Sequence, residues 1–561
     1  MSKVRVELGD WLKNASIVGF LKVLKRKQES IGDIKYADNY IEFDISMLDD
    51  FEEEYFRTLI EENEKSLSWY KLVSSELLID NMQSKKIEEK DIETLNKTVE
   101  YFKSKLSSES YKSAYMILDN GNQIISYEKK LAKVKLKKKQ AIEEVKDIVK
   151  EQCDYLKNII QILRNQEVKK VIAAKNVMYE GIIQPFWTNV SFLLKTNNKK
   201  NMYELYKNDF INSFVQYIGK DKSKNKYNCF TCNNKISKLS KPEAYDLTWI
   251  VKTGVDMSRK SSHFWNFNGD AYICPVCNLI YSCLPLGFIT LKGRGIFINN
   301  NHTVKSLIES NTLKIRNEEE SFEKIEQLSY LNIVNSMEQY NIDNLDNEFE
   351  NIQLIKIDSQ NTSRPYTFNI LSKKLMKLIY INRKELNSLI KVRVKISDKY
   401  YINLYDEVIR RLYDGKNLFD LVSKLLYMKL NNKFKGIYYI YKILKINNDV
   451  LGGKVMNYKE TQEFKNYGIK LRNLYIQKNS ESKISGITYR LLNALKTKDS
   501  SKFMETLINA HMYMKLGIPT GFTKVLTNQE LLQGLGYAFL IGLQGEEIKN
   551  IDDSKKDEEE K

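Results

Sequence analysis

Histidine is nearly absent from this chain of 561 residues, which contains three: His263, His302 and His511. None of them stands in an H-E-x-x-H, His-Asp or nucleophile-elbow setting, so the usual residues of acid–base and metal-hydrolytic chemistry are missing. A G-x-x-x-x-G-K-[ST] phosphate loop is absent as well. We therefore expect a protein that is not an enzyme. A metal-dependent nuclease built on carboxylates alone stays open, because 72 acidic residues offer many chance pairs.

Long apolar runs are also lacking. The first residues, Met1–Glu7, contain no continuous apolar stretch, and no run approaches the roughly 20 residues that span a bilayer. The longest tight run, Tyr537–Leu543, has the size of a core segment. Six cysteines in so long a chain do not build a disulfide framework, which favours a reducing compartment. We expect a cytoplasmic protein with no membrane partner.

Basic residues are in excess. The chain carries 89 Lys and Arg against 72 Asp and Glu, a net charge of +17. The C-terminal residues 546–561 hold eight acids and four lysines, net −4, so the rest of the chain carries +21. Such a charge attracts phosphate and indicates a nucleic-acid partner. The abundance of Lys, Asn, Ile and Tyr is also typical of proteins encoded by an AT-rich genome. On that alternative the protein is a scaffold, and its positive charge reflects genome composition and has no function.

Apolar residues at helical spacing run through most of the chain. Residues 51–163 are dense in Glu and Lys and contain no proline that would interrupt a helix. Apolar side chains recur at positions i, i+3, i+7 and i+10 from Phe464 to Leu474, which is typical of an amphipathic helix. The simplest interpretation of residues 436–545 is a compact helical bundle.

A few strands are predicted at the start and in the middle. Val4–Leu8 alternates like a strand, and Gly9-Asp10 supplies a turn and an N-cap before a helix. Short apolar runs predict further strands at residues 287–291, 295–298, 351–357 and 392–396. The fold class is therefore α+β and predominantly helical, with a four-cysteine zinc-binding insertion in a mixed N-terminal domain and a C-terminal helical bundle.

These patterns divide the chain into five parts. They are a largely helical N-terminal region (1–221), a zinc-binding module with strands (222–301), a continuation of the large domain (302–435), the helical bundle (436–545) and a disordered acidic tail (546–561).

Two C-x2-C pairs form the sharpest pattern, Cys229-Phe-Thr-Cys232 and Cys274-Pro-Val-Cys277. Four thiolates close a tetrahedral shell, and Zn²⁺ suits them because it accepts sulfur and imposes no ligand-field geometry. Four cysteines leave no open position on the metal, so we expect a structural zinc. The 41 residues between the pairs exceed the spacing of a compact ribbon and predict an insertion.

Other roles for these cysteines stay open. The two pairs could be a redox dithiol site or unrelated buried cysteines, and Cys283 or His263 could replace one of the four as a ligand. Cys153 lies in a helical segment and is interpreted as a core residue.

Three basic segments are candidate nucleic-acid surfaces. Lys129–Lys139 holds seven lysines in eleven residues, Leu291–Ile296 resembles a hairpin tip, and the predicted bundle carries basic residues off its apolar positions. Such residues make phosphate contacts, and an arginine can also contact a guanine edge. Solvated faces and a plain turn are the alternatives. The residues assigned to nucleic-acid contacts are Lys133, Lys137, Lys138, Lys292, Arg294, Lys465, Lys470, Arg472 and Arg490.

The chain resembles a known family in three places: Gly9–Phe20, the two cysteine pairs, and Tyr537–Leu543. Together these resemble the CXXC-CXXC family of CRISPR-associated proteins, the Cas-eight-type large subunit of the type I-B Cascade complex. The resemblance implies a non-catalytic subunit of a crRNA-guided surveillance complex, which recognises the protospacer-adjacent motif and aids unwinding of target double-stranded DNA.

The resemblance also implies partners. They are the crRNA, the Cascade backbone and handle-binding subunits, the small subunit and a helicase-nuclease that is recruited to cut the target. The C-terminal bundle resembles the Cascade small subunit. A stand-alone zinc-ribbon protein that binds RNA or DNA is the main alternative.

Overall fold

The computed structural model of the chain describes residues 3–26, 34–84, 87–135, 142–250, 271–291, 293–312, 322–339, 352–358, 360, 365–397, 400–452, 457–526 and 528–545. The predicted acidic tail, 546–561, lies outside them. The chain forms two compact units: unit 1 is Met1–Glu318 with Asn341–Ile370, and unit 2 is Glu319–Tyr340 with Leu371–Lys561. The α+β, predominantly helical fold class is confirmed. The five-part division of the chain stays a prediction.

Unit 1 combines helices with short strands. Its helices are α1 (Trp11–Lys25), α2 (Phe51–Asn63), α3 (Ser68–Ser74), α4 (Glu76–Ser84), α5 (Glu89–Leu106), α6 (Glu109–Tyr115), α7 (Gly121–Lys130), α8 (Lys146–Arg164), α9 (Gln166–Tyr179), α10 (Met202–Tyr206), α11 (Ser213–Gly219), α12 (Pro275–Ser282), α13 (Leu284–Gly287) and α14 (Val304–Ser310). A π-helix, Lys207–Asn212, joins α10 to α11.

The strands of unit 1 are antiparallel where their pairing is defined. They are β1 (Lys3–Glu7), β2 (Lys35–Tyr36), β3 (Tyr40–Asp44), β4 (Tyr227–Asn228), β5 (Lys235–Ile236), β6 (Ile289–Leu291), β7 (Arg294–Asn299), β8 (Ile352–Asp358) and β9 (Tyr366–Leu371). Three sheets result, in the orders β1-β3-β2, β4-β5 and β6-β7-β8-β9.

The predicted start of the chain is confirmed. β1 is followed by Asp10, whose carboxylate accepts hydrogen bonds from the backbone N–H of Leu12 and Lys13 and so caps α1. α1 is apolar and buried on almost every side. Its Gly19 faces α13 so closely that an added Cβ would lie 2.0 Å from the carbonyl oxygen of Cys283. This close approach fixes α1 against the chain that follows the second cysteine pair.

The apolar residues of unit 1 form two clusters. One spans the N-terminal sheet, α1, α2, the π-helix and the cysteine region, and the other lies among α3 to α9. Cys153 is fully buried in the second cluster, which confirms it as a core residue, and burial raises the pKa of its thiol to about 11. The cysteine region therefore belongs to the main apolar core of unit 1.

A helix does not continue through the lysine-rich segment. α7 ends at Lys130, and residues 131–135 have no regular structure. Side chains from neighbouring helices replace the helical hydrogen bonds: Gln152 accepts from the N–H of Ala132, and Asn96 bonds both the N–H and the carbonyl of Val134. Because Leu131 and Val134 are buried at the same time, this extended course is stable without a helix.

Unit 2 is almost entirely helical. Its helices are α15 (Phe322–Gln339), α16 (Lys373–Ile381), α17 (Arg383–Leu389), α18 (Leu404–Tyr413), α19 (Phe419–Leu430), α20 (Ile437–Val450), α21 (Tyr458–Gln477), α22 (Ser482–Thr497), α23 (Ser500–Tyr513) and α24 (Gln529–Gln544). The unit also contains a hairpin of β10 (Arg393–Ser397) and β11 (Tyr400–Asn403) and a 3-10 helix, Thr520–Leu526.

Helix α24 is the centre of unit 2. It packs against α19, α20, α21 and α22, and its residues from Tyr537 to Leu543 are buried, as expected for a core segment. The contact with α21 is made through Gly468 and Gly542, where an added Cβ would lie 2.1 and 1.9 Å from backbone oxygens of the facing helix. The predicted apolar faces of α21 and α23 point into this core at Phe464, Leu471, Phe503 and Leu507.

None of the helices within the described ranges is both long enough and apolar enough to cross a bilayer.

Candidate metal centre and nucleic-acid interface

The first cysteine pair sits in a tight loop between β4 and β5. The strands pair Tyr227 with Ile236, and the loop is closed where the N–H of Cys229 donates to the carbonyl of Asn234 at 2.8 Å. Asn233 adopts φ 60°, a left-handed conformation that asparagine tolerates. This turn directs the sulfurs of Cys229 and Cys232 to the same side.

The second cysteine pair opens helix α12. Cys274 is the N-cap residue, Pro275 takes the first helical position, and Cys277 lies in the first turn. The positive end of the helix dipole stabilises thiolates there. Backbone bonds between Tyr245 and Ile273, 2.9 and 2.8 Å long, hold the preceding strand-like segment in place. The pair is therefore positioned by local helix geometry and by a long-range backbone bridge.

The four sulfurs form one cluster. Their Sγ atoms lie within 4.8 Å of one another; Cys229 and Cys277 are 3.8 Å apart, and Cys232 and Cys274 are 3.6 Å apart. A disulfide would need about 2.05 Å between sulfurs. Four sulfurs at about 2.3 Å from a zinc ion in a regular tetrahedron lie about 3.8 Å from one another. The spacing thus fits a tetrahedral metal site.

The predicted alternatives for the ligand set find no support in this geometry. The cluster comprises the four predicted cysteines and, among the described residues, no fifth ligand. Cys283 is fully buried beside Ser282 and Tyr206, and burial raises the pKa of its thiol to about 12. His263 lies outside the described residues.

Crowding of the four thiols separates their pKa values. Hydrogen bonds from Cys232, Cys274 and Cys277 hold the pKa of Cys229 far below its ordinary value. The pKa values of Cys274 and Cys277 are raised well above the ordinary value, first of all by their interaction with Cys229. The pKa of Cys232 is lowered as well, so two thiolates are favoured and two are opposed. A bound cation would remove that opposition by balancing the negative charge.

Comparison with known families identifies this segment. Residues 222–289 match the model of a family described as CRISPR-associated protein (Cas_CXXC_CXXC). The predicted CXXC-CXXC family is confirmed. The match includes both cysteine pairs and the residues between them, so the four-cysteine cluster lies in the segment that the family model describes. No curated protein and no solved structure matches the chain.

Of the basic residues predicted in unit 1, the structure describes Lys133 and Arg294, which lie on separate segments. Lys133 pairs with Glu100 at 2.9 Å and is half exposed. Arg294 begins β7, where it faces Leu291 across the β6–β7 hairpin. Gly293 in the loop adopts φ 79°, which confirms the predicted hairpin tip. Lys137, Lys138 and Lys292 lie outside the described residues.

The basic residues predicted in unit 2 divide between two helices. Lys465, Lys470 and Arg472 are on α21, and Arg490 is on α22. Residues seven apart share a helix face, so Lys465 and Arg472 point the same way, whereas Lys470 is turned by about 140° from Lys465. The predicted set is therefore not a single stripe.

Lysine side chains lie over tyrosine rings on α20 and α21, a surface that the sequence analysis did not predict. The Nζ atoms of Lys442, Lys445 and Lys465 are 5.1, 4.8 and 4.3 Å from the ring centroids of Tyr438, Tyr458 and Tyr441, respectively. We call these six residues the cation–tyrosine surface. Its signal in the sequence is the spacing of Tyr438, Tyr441, Lys442 and Lys445 on adjacent helical turns.

The cation–tyrosine surface retains positive charge. Glu385 lies 2.6 Å from Lys445 and 3.8 Å from Lys442, so one carboxylate faces two lysines. Burial, and then repulsion from Lys442, lower the pKa of Lys465. Tyr438 and Tyr458 are more than half exposed, so their rings are available for stacking.

Proposed function

We propose that this chain is the non-catalytic large subunit of a type I-B CRISPR Cascade complex. In that role it acts in the cytoplasm, recognises the protospacer-adjacent motif, aids target unwinding and recruits the helicase-nuclease. The observation that carries the proposal is the match of residues 222–289 to the CXXC-CXXC family. The positive charge of +17 and the scarcity of histidine support a nucleic-acid partner and the absence of catalysis.

The metal in this proposal is a structural zinc held by Cys229, Cys232, Cys274 and Cys277. The sulfur spacing of 3.6 and 3.8 Å and the four-cysteine set support zinc, which such sites prefer. The ion would hold the hairpin loop of the first pair against the start of α12. It would supply folding energy and no chemistry, because all four of its positions are taken by cysteines.

Basic side chains within each unit are the candidate nucleic-acid contacts in this proposal. The predicted contacts are Lys133, Lys137, Lys138, Lys292, Arg294, Lys465, Lys470, Arg472 and Arg490. In unit 2 the cation–tyrosine surface adds exposed rings to lysines, a combination that binds single strands by stacking and phosphate attraction. Because the guide RNA recognises the target sequence by base pairing, the basic residues of this chain need to supply only weak, salt-dependent phosphate contacts.

The first test is a pull-down of the tagged chain from its native host, followed by sequencing of the bound RNA, identification of co-purifying proteins and metal analysis. We expect RNA derived from CRISPR repeats, Cascade backbone subunits and about one zinc per chain. A chain that is recovered alone and binds RNA or DNA tightly would favour the stand-alone zinc-ribbon protein instead.

Catalysis is tested separately. The purified chain is incubated with single- and double-stranded DNA and RNA in Mg²⁺ or Mn²⁺, and we expect no degradation. Degradation that requires the metal, and that disappears when one acidic pair is replaced, would establish the nuclease alternative and overturn the non-catalytic role.

A further inference from the structure

A polar pocket lies beside the metal centre in unit 1. Its volume is about 310 Å³, at the lower end of ligand pockets, which run from about 300 to about 1,000 Å³. Its walls include the amide side chains of Asn208, Asn212, Gln216 and Asn278 and the rings of Tyr245 and Trp249. A pocket of this size accommodates one ring system with its substituents.

The metal centre adjoins one wall of this pocket. Asn278 follows the ligand Cys277 on α12, is 2% exposed and lines the cavity. An amide in a cavity wall offers both a donor and an acceptor, so it suits a ligand that carries the complementary groups. Another wall comes from the chain after the first cysteine pair, which contributes Tyr245 and Trp249. The segments that carry the two cysteine pairs therefore shape the pocket together.

The π-helix forms a further wall. Asn208, Asp209, Phe210 and Asn212 all belong to Lys207–Asn212 and all line the cavity. π-helices are rare and frequently stand at functional sites, because the extra residue redirects side chains that a regular helix would place elsewhere. Asn212 donates to Asn208 at 2.8 Å, so these two amides are held in one orientation.

The rings and the charges restrict the ligand. Phe210, Tyr245 and Trp249 line the cavity but are only 1%, 8% and 6% exposed, so they present ring edges and no open ring face to it. Among the described lining residues, Asp209 and Asp246 stand against a single cation, Lys241, whose Nζ lies 5.7 Å from the Tyr245 ring. Two carboxylates disfavour a phosphate inside the pocket and accept hydrogen bonds from amino groups, whereas the exposed Lys241 can face a phosphate at the rim. Amides pair with the edges of bases, which carry both donors and acceptors.

We propose that this pocket binds one unpaired nucleobase, an inference that rests on the nucleic-acid role proposed above. The base enters beside the ring edges of Tyr245 and Trp249, its own edge bonds to the amides of the π-helix and of Asn278, and its sugar and phosphate stay at the rim beside Lys241. Neither the resemblance nor the family match assigns a role to these residues.

The test uses the purified full-length chain with three probes: adenosine 5′-monophosphate, ribose 5-phosphate and single-stranded hexadeoxyadenylate. Saturation-transfer NMR measures which protons of the mononucleotide touch the protein, and fluorescence anisotropy measures binding of the hexanucleotide. We expect the adenine ring protons to be saturated most strongly and ribose 5-phosphate not to compete. A hexanucleotide that binds more tightly than the mononucleotide identifies the ligand as a base within a strand; the reverse order identifies a free nucleotide.

Two pocket variants and one control complete the test. Gln216→Leu changes an exposed residue of α11 and Asn278→Leu a buried one, and each is expected to weaken adenosine monophosphate binding at least about tenfold. Gln184→Leu, an exposed glutamine of unit 1 that does not line the pocket, should bind as the parent chain does. Zinc content is measured for each, so that loss of the fold is separated from loss of the ligand.

The inference is overturned if ribose 5-phosphate competes as well as the mononucleotide, or if both pocket variants bind as the parent does. Hexanucleotide binding that persists unchanged in these cases leaves the nucleic-acid role standing without the pocket. Conversely, mononucleotide binding that the variants abolish, in a chain that recovers no CRISPR RNA from its host, supports the pocket and removes the Cascade role.

Discussion

The two units are stabilised at their centres by different chemistry. Unit 1 gathers four thiols in the same apolar cluster as rings such as Tyr206 and Tyr55, whose centroids are 4.4 Å apart. Unit 2 has no such thiol cluster among its described residues, and its centre is α24, which carries no charge from Leu531 to Gln544. A metal can connect segments that are far apart in sequence, whereas an apolar helix needs neighbours that cover it on every side.

A glycine contact is common to both units. Gly19 in unit 1 and Gly542 in unit 2 each lie against the backbone of a facing helix, with an added Cβ 2.0 and 1.9 Å from a carbonyl oxygen. Close backbone approach of two helices thus serves both cores. The units differ in what else their interiors contain: four clustered thiols in unit 1, and buried side-chain hydrogen bonds such as Asn448 to Thr461 in unit 2.

The largest expected effect comes from removing two of the four thiols, which should unfold part of unit 1 and leave unit 2 folded. Cys274→Ser with Cys277→Ser should unfold the cysteine region and abolish assembly, because structural zinc contributes on the order of 10 kcal/mol to folding. Hydrogen exchange followed by mass spectrometry should show lost protection around β4, β5 and α12 and native protection in α24.

The matched control for this change is Cys153→Ser. Cys153 is as buried as Cys229 and Cys274 but lies outside the thiol cluster, so the variant should keep its zinc and its exchange protection around α12. A double variant that stays folded, protected and fully active would show that the cysteine cluster is not a structural metal site.

The next effect should be confined to unit 2. Gly542→Ala places a methyl group 1.9 Å from the backbone oxygen of Lys465 and should cost about 3 kcal/mol, because two backbones must separate. Chemical denaturation monitored by exchange in α21 and α24 measures this loss. Zinc content should be unchanged.

The control for the glycine change is Gly486→Ala on α22. No atom lies within 4 Å of an added Cβ there, so the variant should be more stable by about 0.5–1 kcal/mol through helix propensity. Equal effects of the two substitutions would contradict the close contact of α21 and α24.

A pH effect is expected from unit 1. Lys175 is fully buried, its ammonium donates to the carbonyl of Asn198 at 3.0 Å, and burial lowers its pKa to about 8. Below that pH both the folded and the unfolded chain hold the proton, and the buried charge destabilises the fold. Between about pH 8 and 10.4 the unfolded chain holds more protons, so stability rises with pH.

Lys175→Met removes this dependence. The variant should be more stable than the parent by about 3 kcal/mol near pH 7, and the difference should shrink as the pH approaches 10. Denaturation midpoints at a series of pH values measure it. A stability difference that does not change with pH would show that the charged ammonium of Lys175 does not destabilise the folded chain.

The smallest effect concerns the cation–tyrosine surface. For single-stranded nucleic acid, the logarithm of the binding constant falls with the logarithm of the salt concentration. Lys465→Gln should make this slope less steep by about 1, because one phosphate contact is lost. Lys502→Gln, which removes an exposed lysine paired with Asp499 at 3.3 Å, serves as the control. Equal slopes for the two variants would place the strand away from the cation–tyrosine surface.

Local patterns predicted several features that the structure confirms. Asp10 caps α1, the β6–β7 hairpin turns at Gly293, and Phe464 and Leu471 face the core of unit 2. Each depends on residues a few positions apart. The lysine-rich segment differs, because Gln152 and Asn96 from other helices bond its backbone, and such partners are invisible in a local pattern.

By itself the sequence determined the four-cysteine cluster, the family that residues 222–289 match and the helical class, because C-x2-C spacing and apolar periodicity are properties of neighbouring residues. Only the tertiary structure decided that the thiols stand 3.6 and 3.8 Å apart across strand and helix, and that the chain from Phe322 to Gln339 folds into unit 2. It also decided that a π-helix and Asn278 line one pocket. Such contacts join residues far apart in the chain, and their energy depends on the packing of the whole unit.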